Sequence, residues 1–349
     1  MNFIIIASVF ISTGTSIYVL AVGSLLATVS QVMLLMPFVH KCGYRHQPIL
    51  NLNNEHLRKL VLIALPVIAG TSVNEINVLV DRTLASGIAV GGISALNYAQ
   101  RLNGFVQGLF VSSITSVLYP TISRMAASGN MRGLKTSISE AISIVNLLVV
   151  PATVGIMIFS RQLVSLLFGR GAFTADAIEM TTNALFYYSP GMIAIGLRAV
   201  LSRGFYALQD PKTPTINATL GVIINIVLNI ILSRYLGIGG LALATSVSAT
   251  ITALLMFVTL RKKIGSFGLG EFSRSSFKMV SCSALMGVCS WGNFVVLRRV
   301  VAENLALIVA VGVGALVYAT MVYFMKIPEV DSTLDAVKKR FVSRQRWGH

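Results

Sequence analysis

Nine apolar windows, each about as long as a membrane-crossing helix, constrain this chain more than any other feature. They run roughly 16–39, 57–80, 93–120, 137–160, 180–202, 215–234, 238–260, 277–297 and 303–325. A helix rising 1.5 Å per residue needs about 20 apolar residues to cross a hydrocarbon core. Ahead of them, the apolar stretch from Phe3 to Ser12 is long enough for only half a span. Of the 349 residues, 55% are hydrophobic and 11% charged, with a mean hydropathy of +0.78. Soluble domains carry about 25% charged residues, and could not hide this much apolar surface from water. The alternating ten-residue segments of an outer-membrane barrel are missing from the pattern. The expected fold is therefore all-α, a polytopic transmembrane helical bundle.

The net charge of +16 invites a nucleic-acid reading, but the positions of the cations argue against it. Most Lys and Arg fall in short polar intervals between windows, and no basic patch is interleaved with stacking aromatics, so no nucleic-acid partner is expected. Intervals following the odd-numbered windows hold 19 of them, those on the opposite side 5. This asymmetry puts the richer side, and the C-terminus, in the cytoplasm. The basic tail after Pro328 is placed to touch anionic membrane lipids. Three scattered cysteines, Cys42, Cys282 and Cys289, give neither a disulfide framework nor a CxxC metal site. Gly87–Gly92 and Leu236–Gly240 read as tight turns on the outer side, and Asp210-Pro211-Lys212-Thr213-Pro214 as an inner one.

Four cations remain inside or at the edge of windows: Arg82, Arg101, Arg198 and Lys278. Lys278 is near a helix start and can snorkel, and Arg198 can do so less easily. Arg82 follows Asp81, and Arg101 sits in Asn97-Tyr98-Ala99-Gln100-Arg101-Leu102-Asn103. An arginine at mid-bilayer costs about 2.5–3.5 kcal/mol on insertion scales, so it normally faces a bundle interior or a wet cavity. With a short hairpin between the helices, Glu75, Asp81, Arg82 and Arg101 are expected in one neighbourhood. One reading makes them ion pairs that hold helices together. The other makes Arg101, with Arg82, Gln100, Asn103 and Glu75, the lining of a cavity for an anionic substrate, since a planar five-donor guanidinium suits phosphate or pyrophosphate.

A second constellation is Asn225 and Asn229, spaced i,i+4 on one helix face, with Thr245, Ser246 and Ser248 on the next helix. Together with Asp81 these are hard oxygen donors carrying one negative charge, a set that suits a monovalent cation. They equally suit interhelical hydrogen bonding, common between membrane helices.

Taken in order, several stretches resemble the MurJ (MviN) family of lipid II flippases, in the multidrug/oligosaccharidyl-lipid/polysaccharide exporter superfamily. They are Val80-Asp81-Arg82-Thr83-Leu84-Ala85-Ser86, Tyr98-Ala99-Gln100-Arg101-Leu102 running on to Leu118-Tyr119-Pro120-Thr121-Ile122-Ser123, Phe168-Gly169-Arg170-Gly171-Ala172-Phe173-Thr174, and the Gly204–Pro214 run, similar to GFYxxxDxxTP. The likeness extends from about residue 10 to 265. It implies a MATE-like architecture of two six-helix lobes and a final helix pair that grooves the lipid tail. On that frame 1–56 is the remainder of a first lobe, 57–263 the second lobe, 274–327 the last pair and 328–349 a basic cytoplasmic tail. The family's first four helices find no counterpart ahead of residue 1, which implies an N-terminally incomplete transporter or a companion chain.

The resemblance places Arg101 at a family arginine needed for function. It also places Asp81, Asn225, Asn229, Leu241 (through its carbonyl) and Thr245 at a sodium site. Where relatives can carry an aspartate, this chain has Asn229, which lowers the site's charge. The implied function is translocation of lipid II, the undecaprenyl-pyrophosphate-linked peptidoglycan precursor, across the cytoplasmic inner membrane by alternating access. The sequence holds no nucleophile–base pair, Walker motif or catalytic carboxylate pair, so a transporter and not an enzyme is expected, with no cofactor beyond sodium. Alternatives left open are an exporter of another lipid-linked oligosaccharide, a drug or cation antiporter, and a non-transporting remnant.

Overall fold

The structure is a computed structural model that describes residues 2–12, 17–43, 75–266 and 269–325. Its contacts divide the chain into two units, Met1–Leu65 and Pro66–His349. In the first unit, α1 (Asn2–Ser12) packs on α2 (Ile17–Lys41). The contact is made by small residues, with Ser8 and Ala27 buried and Ser8 lying where a Cβ on Gly23 would stand.

The second unit starts with α3 (75–88). It continues through α4 (Gly92–Val106), a π-helical turn at Gln107–Ser112, α5 (Ser113–Ala127), α6 (Met131–Phe168), α7 (Ala175–Ala207), α8 (Lys212–Leu236), α9 (Ile238–Ile264), α10 (Leu269–Leu297) and α11 (Glu303–Phe324). Among the described residues eight helices are long and apolar enough to cross a membrane, α4 and α5 counting as one through the π turn. They coincide with eight of the nine windows read from the sequence. The ninth, 57–80, falls largely outside the described residues, as do residues 44–56 and the basic tail.

The distribution of side chains is that of a protein dissolved in lipid. Large apolar residues such as Leu79, Phe105, Val117, Ile216, Leu254, Val288 and Leu316 are exposed, while Asp81, Asn217, Asn225, Asn229, Ser246 and Thr252 are buried. Hydrocarbon attracts the first set and offers no partner to the second, so polar groups turn inward to find one another. At the centre, α7 packs against α4, α6 and α9, and α8 lies along α9. The α10–α11 hairpin rests on α6, where the Tyr318 hydroxyl donates to the Leu147 carbonyl at 2.8 Å.

Glycine facing a hydroxyl residue recurs at the closest helix contacts. Gly191 on α7 meets Ser246 on α9, Gly221 on α8 meets Thr252 on α9, and Gly314 on α11 meets Ser290 on α10. Lipid tails are as apolar as leucine, so close van der Waals approach and hydroxyl hydrogen bonds drive association instead of the hydrophobic effect. Ser246 illustrates both: its Oγ donates to the Tyr187 carbonyl at 2.6 Å and accepts from the Gly191 N–H at 3.2 Å.

One turn reading and one side-chain reading change in the structure. The Leu236–Gly240 segment is a turn only at Gly237 (φ 56°), and α9 already includes Gly239 and Gly240. Those two glycines admit neighbours: a Cβ on Gly239 would stand 2.7 Å from the Tyr187 ring, and one on Gly240 would run into the Leu232 carbonyl. Lys278 does not simply snorkel, because its Nζ donates to the Met325 carbonyl just past α11, at 3.0 Å.

Candidate functional site

The buried face of α3 carries Asp81 and Ala85, one helical turn apart. Asp81, 7% exposed, therefore turns towards α8, where it meets Asn229. On α8, Gly221, Asn225 and Asn229 recur at i,i+4 and are all buried. Opposite them α9 presents Leu241, Thr245, Ser248 and Thr252 along one face. A continuous chain of hydrogen bonds joins the three helices. Asn229 Nδ2 donates to Asp81 Oδ1 at 2.6 Å and to Asn225 Oδ1 at 2.9 Å. Asn225 Nδ2 in turn reaches Ser248 Oγ at 3.2 Å and Thr245 Oγ1 at 3.4 Å, and Thr245 Oγ1 donates to the Leu241 carbonyl at 3.1 Å.

These contacts test whether the residues suit a cation. Asn229 gives its amide nitrogen to two acceptors, which fixes the orientation of the amide and leaves Oδ1 as the free end. That oxygen is buried and has no hydrogen-bond partner among the described residues. The candidate donors are thus a carboxylate, two amide oxygens, a hydroxyl and a backbone carbonyl, from Asp81, Asn225, Asn229, Thr245 and Leu241, linked by the hydrogen bonds above with the Asn229 nitrogen facing Asp81 and Asn225. Hard neutral oxygens with one negative charge match a small monovalent cation better than a divalent one. Among the described residues no group of three or more His, Cys, Asp and Glu gathers as a transition-metal site would need. The donor set fits sodium.

The four charged residues expected in one neighbourhood are sorted instead. Asp81 turns into the unit, whereas Glu75, Arg82 and Arg101 are exposed. Among the described residues no ion pair joins any of them; the ion pair present is Lys263–Asp210. The reason is the 100° rotation per residue on a helix, which sends Asp81 and Arg82 to different faces. The polar run around Arg101 divides likewise. Gln100 is exposed and donates to the Tyr188 hydroxyl at 3.1 Å. Asn103 is buried against α7, donating to the Tyr188 carbonyl at 3.4 Å. Arg101 shares an exposed stripe with Ser94, Asn97 and Gly104, at spacings of three and four residues, opposite the buried face of Ala95, Leu96, Ala99 and Asn103.

Three features escaped the sequence reading. Tyr188 on α7 anchors both Gln100 and Asn103 and lies beside Thr245. A cavity of about 150 Å³ adjoins the cation cluster, sharing Asn225 and Thr245 with it and lined also by Asn77, Arg198, Ser248 and Thr252. Arg198 therefore lines a polar cavity, where snorkelling was expected. Asn77, four residues before Asp81, was the available signal: two polar residues on one face of an apolar helix.

The Gly204–Pro214 run ends α7 and starts α8. Gly204 packs against Ile138, Phe205 is fully buried, and Gln209 takes a left-handed conformation (φ 57°) that lets the Asp210 N–H reach back to the Phe205 carbonyl at 3.0 Å. Asp210 then caps α8: its Oδ1 accepts from the Thr213 N–H at 3.1 Å, and its Oδ2 from the Thr213 hydroxyl at 2.7 Å and from Lys263 Nζ at 2.6 Å. The Lys263 ammonium, with the Thr213 donors, holds the Asp210 carboxyl at about 2, below its ordinary 3.8. Next to it, the Arg203 guanidinium lies 5.1 Å from the centre of the Tyr119 ring on α5.

Comparison with known proteins places the chain in a family. The family model described as "Lipid II flippase MurJ" matches residues 1–312. The "Probable lipid II flippase MurJ" of Vibrio cholerae is 33% identical over 273 residues, covering 78% of this chain and 51% of that protein. A solved structure titled "Lipid II flippase MurJ, inward closed conformation" superposes with a TM-score of 0.78 at 25% identity, over 93% of this chain and 65% of the other. An outward-facing multidrug resistance MATE transporter of the MOP superfamily is similar in fold, with a TM-score of 0.51 at 18% identity over 80% of this chain and 68% of its own. The chain spans about half the length of the curated relatives it matches.

Proposed function

The chain belongs to the MurJ family of lipid II flippases, and on that premise we propose that it takes part in moving lipid II between the leaflets of the cytoplasmic inner membrane. The protein is multi-pass, and the excess of cations on one side argues for a cytoplasmic C-terminus. The observation that carries the proposal is Arg101. It stands on a polar, small-residue stripe of an apolar helix, and has no carboxylate partner among the described residues. An exposed guanidinium with no carboxylate partner, one turn from Asn97, suits a solvated vestibule and an anionic guest. Its fork of donors matches the pyrophosphate of lipid II.

In this reading Arg101 binds the pyrophosphate, and the neighbouring Asn97 and Gln100 offer amide donors and acceptors to the sugar head. Arg82 and Glu75, exposed on α3, border the same vestibule. Asn103 has a different task, holding α4 to α7 so that the stripe keeps its orientation. No bond of the substrate is made or broken, so the chain acts as a carrier and needs no catalytic group. Asp81, Asn225, Asn229, Leu241 and Thr245 would hold sodium. When bound, the ion supplies one positive charge that replaces interhelical hydrogen bonds. Moving one such charge through 100 mV is worth about 2.3 kcal/mol, enough to bias one conformation of the carrier over another.

Native mass spectrometry of the purified chain with added lipid II tests the reading. The expected result is a lipid II adduct that Arg101→Ala weakens by about tenfold or more, as loss of a charged hydrogen-bond partner implies. An unsubstituted chain that is monodisperse and forms no adduct, or an adduct unaffected by Arg101→Ala, overturns it.

A further inference from the structure

The 150 Å³ cavity beside the cation cluster has a composition that a packing defect would not have. Six of its lining residues are polar: Asn77, Arg198, Asn225, Thr245, Ser248 and Thr252. The hydroxyls of Thr245, Ser248 and Thr252 each donate to a backbone carbonyl of their own helix, the last two at 3.0 and 2.8 Å, which leaves their oxygens as acceptors. Asn77 adds a buried Oδ1 with no hydrogen-bond partner among the described residues. Such a wall solvates water and small cations. The cavity also has a direction. From Asn225 and Thr245, which belong to the cluster, it extends past Ser248 to Thr252, Ala218 and Arg198, towards the end of the unit that carries the α7–α8 turn.

Arg198 is the one charged residue lining this space. Around it α8 and α9 bring no acid, and α7 has Asp176 and Glu179 only in its first turns, at the far end. On α3, Asp81 is engaged by Asn229 and Glu75 is exposed. Among the described residues no carboxylate lies within ion-pair distance of Arg198.

We propose that this cavity is the water-filled access route of the cation site, and that Arg198 weakens cation binding by like-charge repulsion so that the ion can leave through it. The inference rests on the sodium reading given above and adds the exit path and the residue that controls it. Ion pathways need binding weak enough to release. Two features of this chain act in that sense: Asn229 withholds a second carboxylate, and Arg198 sets a positive charge in the adjoining water.

The test is binding of ²²Na⁺ to the purified chain, measured at equilibrium and as a release rate. At an effective dielectric constant of about 20, removing a like charge from the adjoining cavity should tighten affinity on the order of tenfold. Arg198→Gln should show that tightening with slower release, and Arg198→Lys, which keeps the charge, should lie closer to the unsubstituted chain. Ala218→Leu, which fills the route without touching the charge or the cluster, should slow release while leaving equilibrium affinity within about twofold, since it acts on the path and not on the bound state. If Arg198→Gln does not fold, the release rate of Ala218→Leu decides. Sodium bound equally tightly and released equally fast in both variants overturns the route alone. No sodium binding by the unsubstituted chain overturns the cation site with it.

Discussion

Asp81 and Asn229 form a buried pair with opposite expected responses to substitution. Asp81 carries the only charge in its cluster, so Asp81→Asn should abolish any stabilisation by sodium over potassium. At a hundredfold excess over Kd that stabilisation is about 2.7 kcal/mol, read as a sodium-dependent rise in Tm. Asn229→Asp should instead steepen the sodium response, and lower Tm without sodium, because two neighbouring carboxylates then repel each other in a low dielectric. Equal sodium and potassium curves for all three proteins would remove the cation site. Asp210 gives a pH prediction. Its folded value of about 2 lies below its ordinary 3.8, so its contribution to stability is complete above about 4, shrinks as pH falls towards 2, and is absent below. Asp210→Asn should therefore flatten the Tm profile between pH 4 and 2 and leave its shape unchanged from 5 to 8. The loss at neutral pH should stay below about 1 kcal/mol, because asparagine keeps an Oδ1 that accepts from the Thr213 N–H, and the pairing with Lys263, which is 42% exposed, is screened. The residue scale also shows what sequence could and could not say. The i,i+4 asparagines were legible from spacing alone, because a helix face is a property of one segment. The partners of Arg101 were not: which of Gln100, Arg101 and Asn103 faces α7 depends on the packing of another helix.

Between helices, the specific contacts are made by pairs of small residues. A Cβ on Gly191 would stand 2.7 Å from Ser246 Oγ and 2.9 Å from its Cα, the second of which is backbone and cannot swing aside. Gly191→Ala should therefore push α7 from α9 and cost about 1–3 kcal/mol, as overpacking does in other cores. Gly155→Ala, with nothing within 4 Å of the added carbon, is the control and should leave Tm nearly unchanged or raise it slightly, since alanine favours the helix. Thermal unfolding in detergent with both variants checks the claim. Similar losses at the two positions would mean that close approach at Gly191 is not what holds these helices. Helix existence was largely readable, because span length and apolarity are imposed by the bilayer; helix limits were less so, since α6 runs from Met131 to Phe168 around the apolar window 137–160. The π-helical turn at Gln107–Ser112 was not, since its extra residue in the turn leaves no mark in composition. Nor were Gly239 and Gly240 recognisable as contact glycines, because a glycine cluster next to a turn looks the same whether it bends the chain or admits a neighbour.

At the scale of the whole molecule the apolar surface and the polar interior say that lipid is the solvent, and they isolate the stripe of Ser94, Asn97, Arg101 and Gly104 as the exception. This stripe is exposed and polar towards Asn97, while Phe105, four residues after Arg101, and Leu109 bound it on the other side at 68% and 51% exposed. If every exposed face of α4 met acyl chains, the arginine and asparagine would each add an insertion penalty with nothing to offset it. A face turned to water removes that penalty and leaves the adjoining phenylalanine and leucine to the lipid. Single cysteines at 94, 97, 104, 105 and 109 separate the two environments. Cys42 and Cys289 are exposed and Cys282 is buried, so all three are first replaced by serine or alanine to silence the background. In membranes, a charged water-soluble maleimide should modify positions 94, 97 and 104 at least tenfold faster than 105 and 109, because thiolate forms in water and not in hydrocarbon. Uniformly slow modification would place the arginine among acyl chains, and the proposed vestibule would have no wall on this helix. Fast modification at 97 and 104 that added lipid II slows would show that the substrate head occupies the space in front of Arg101.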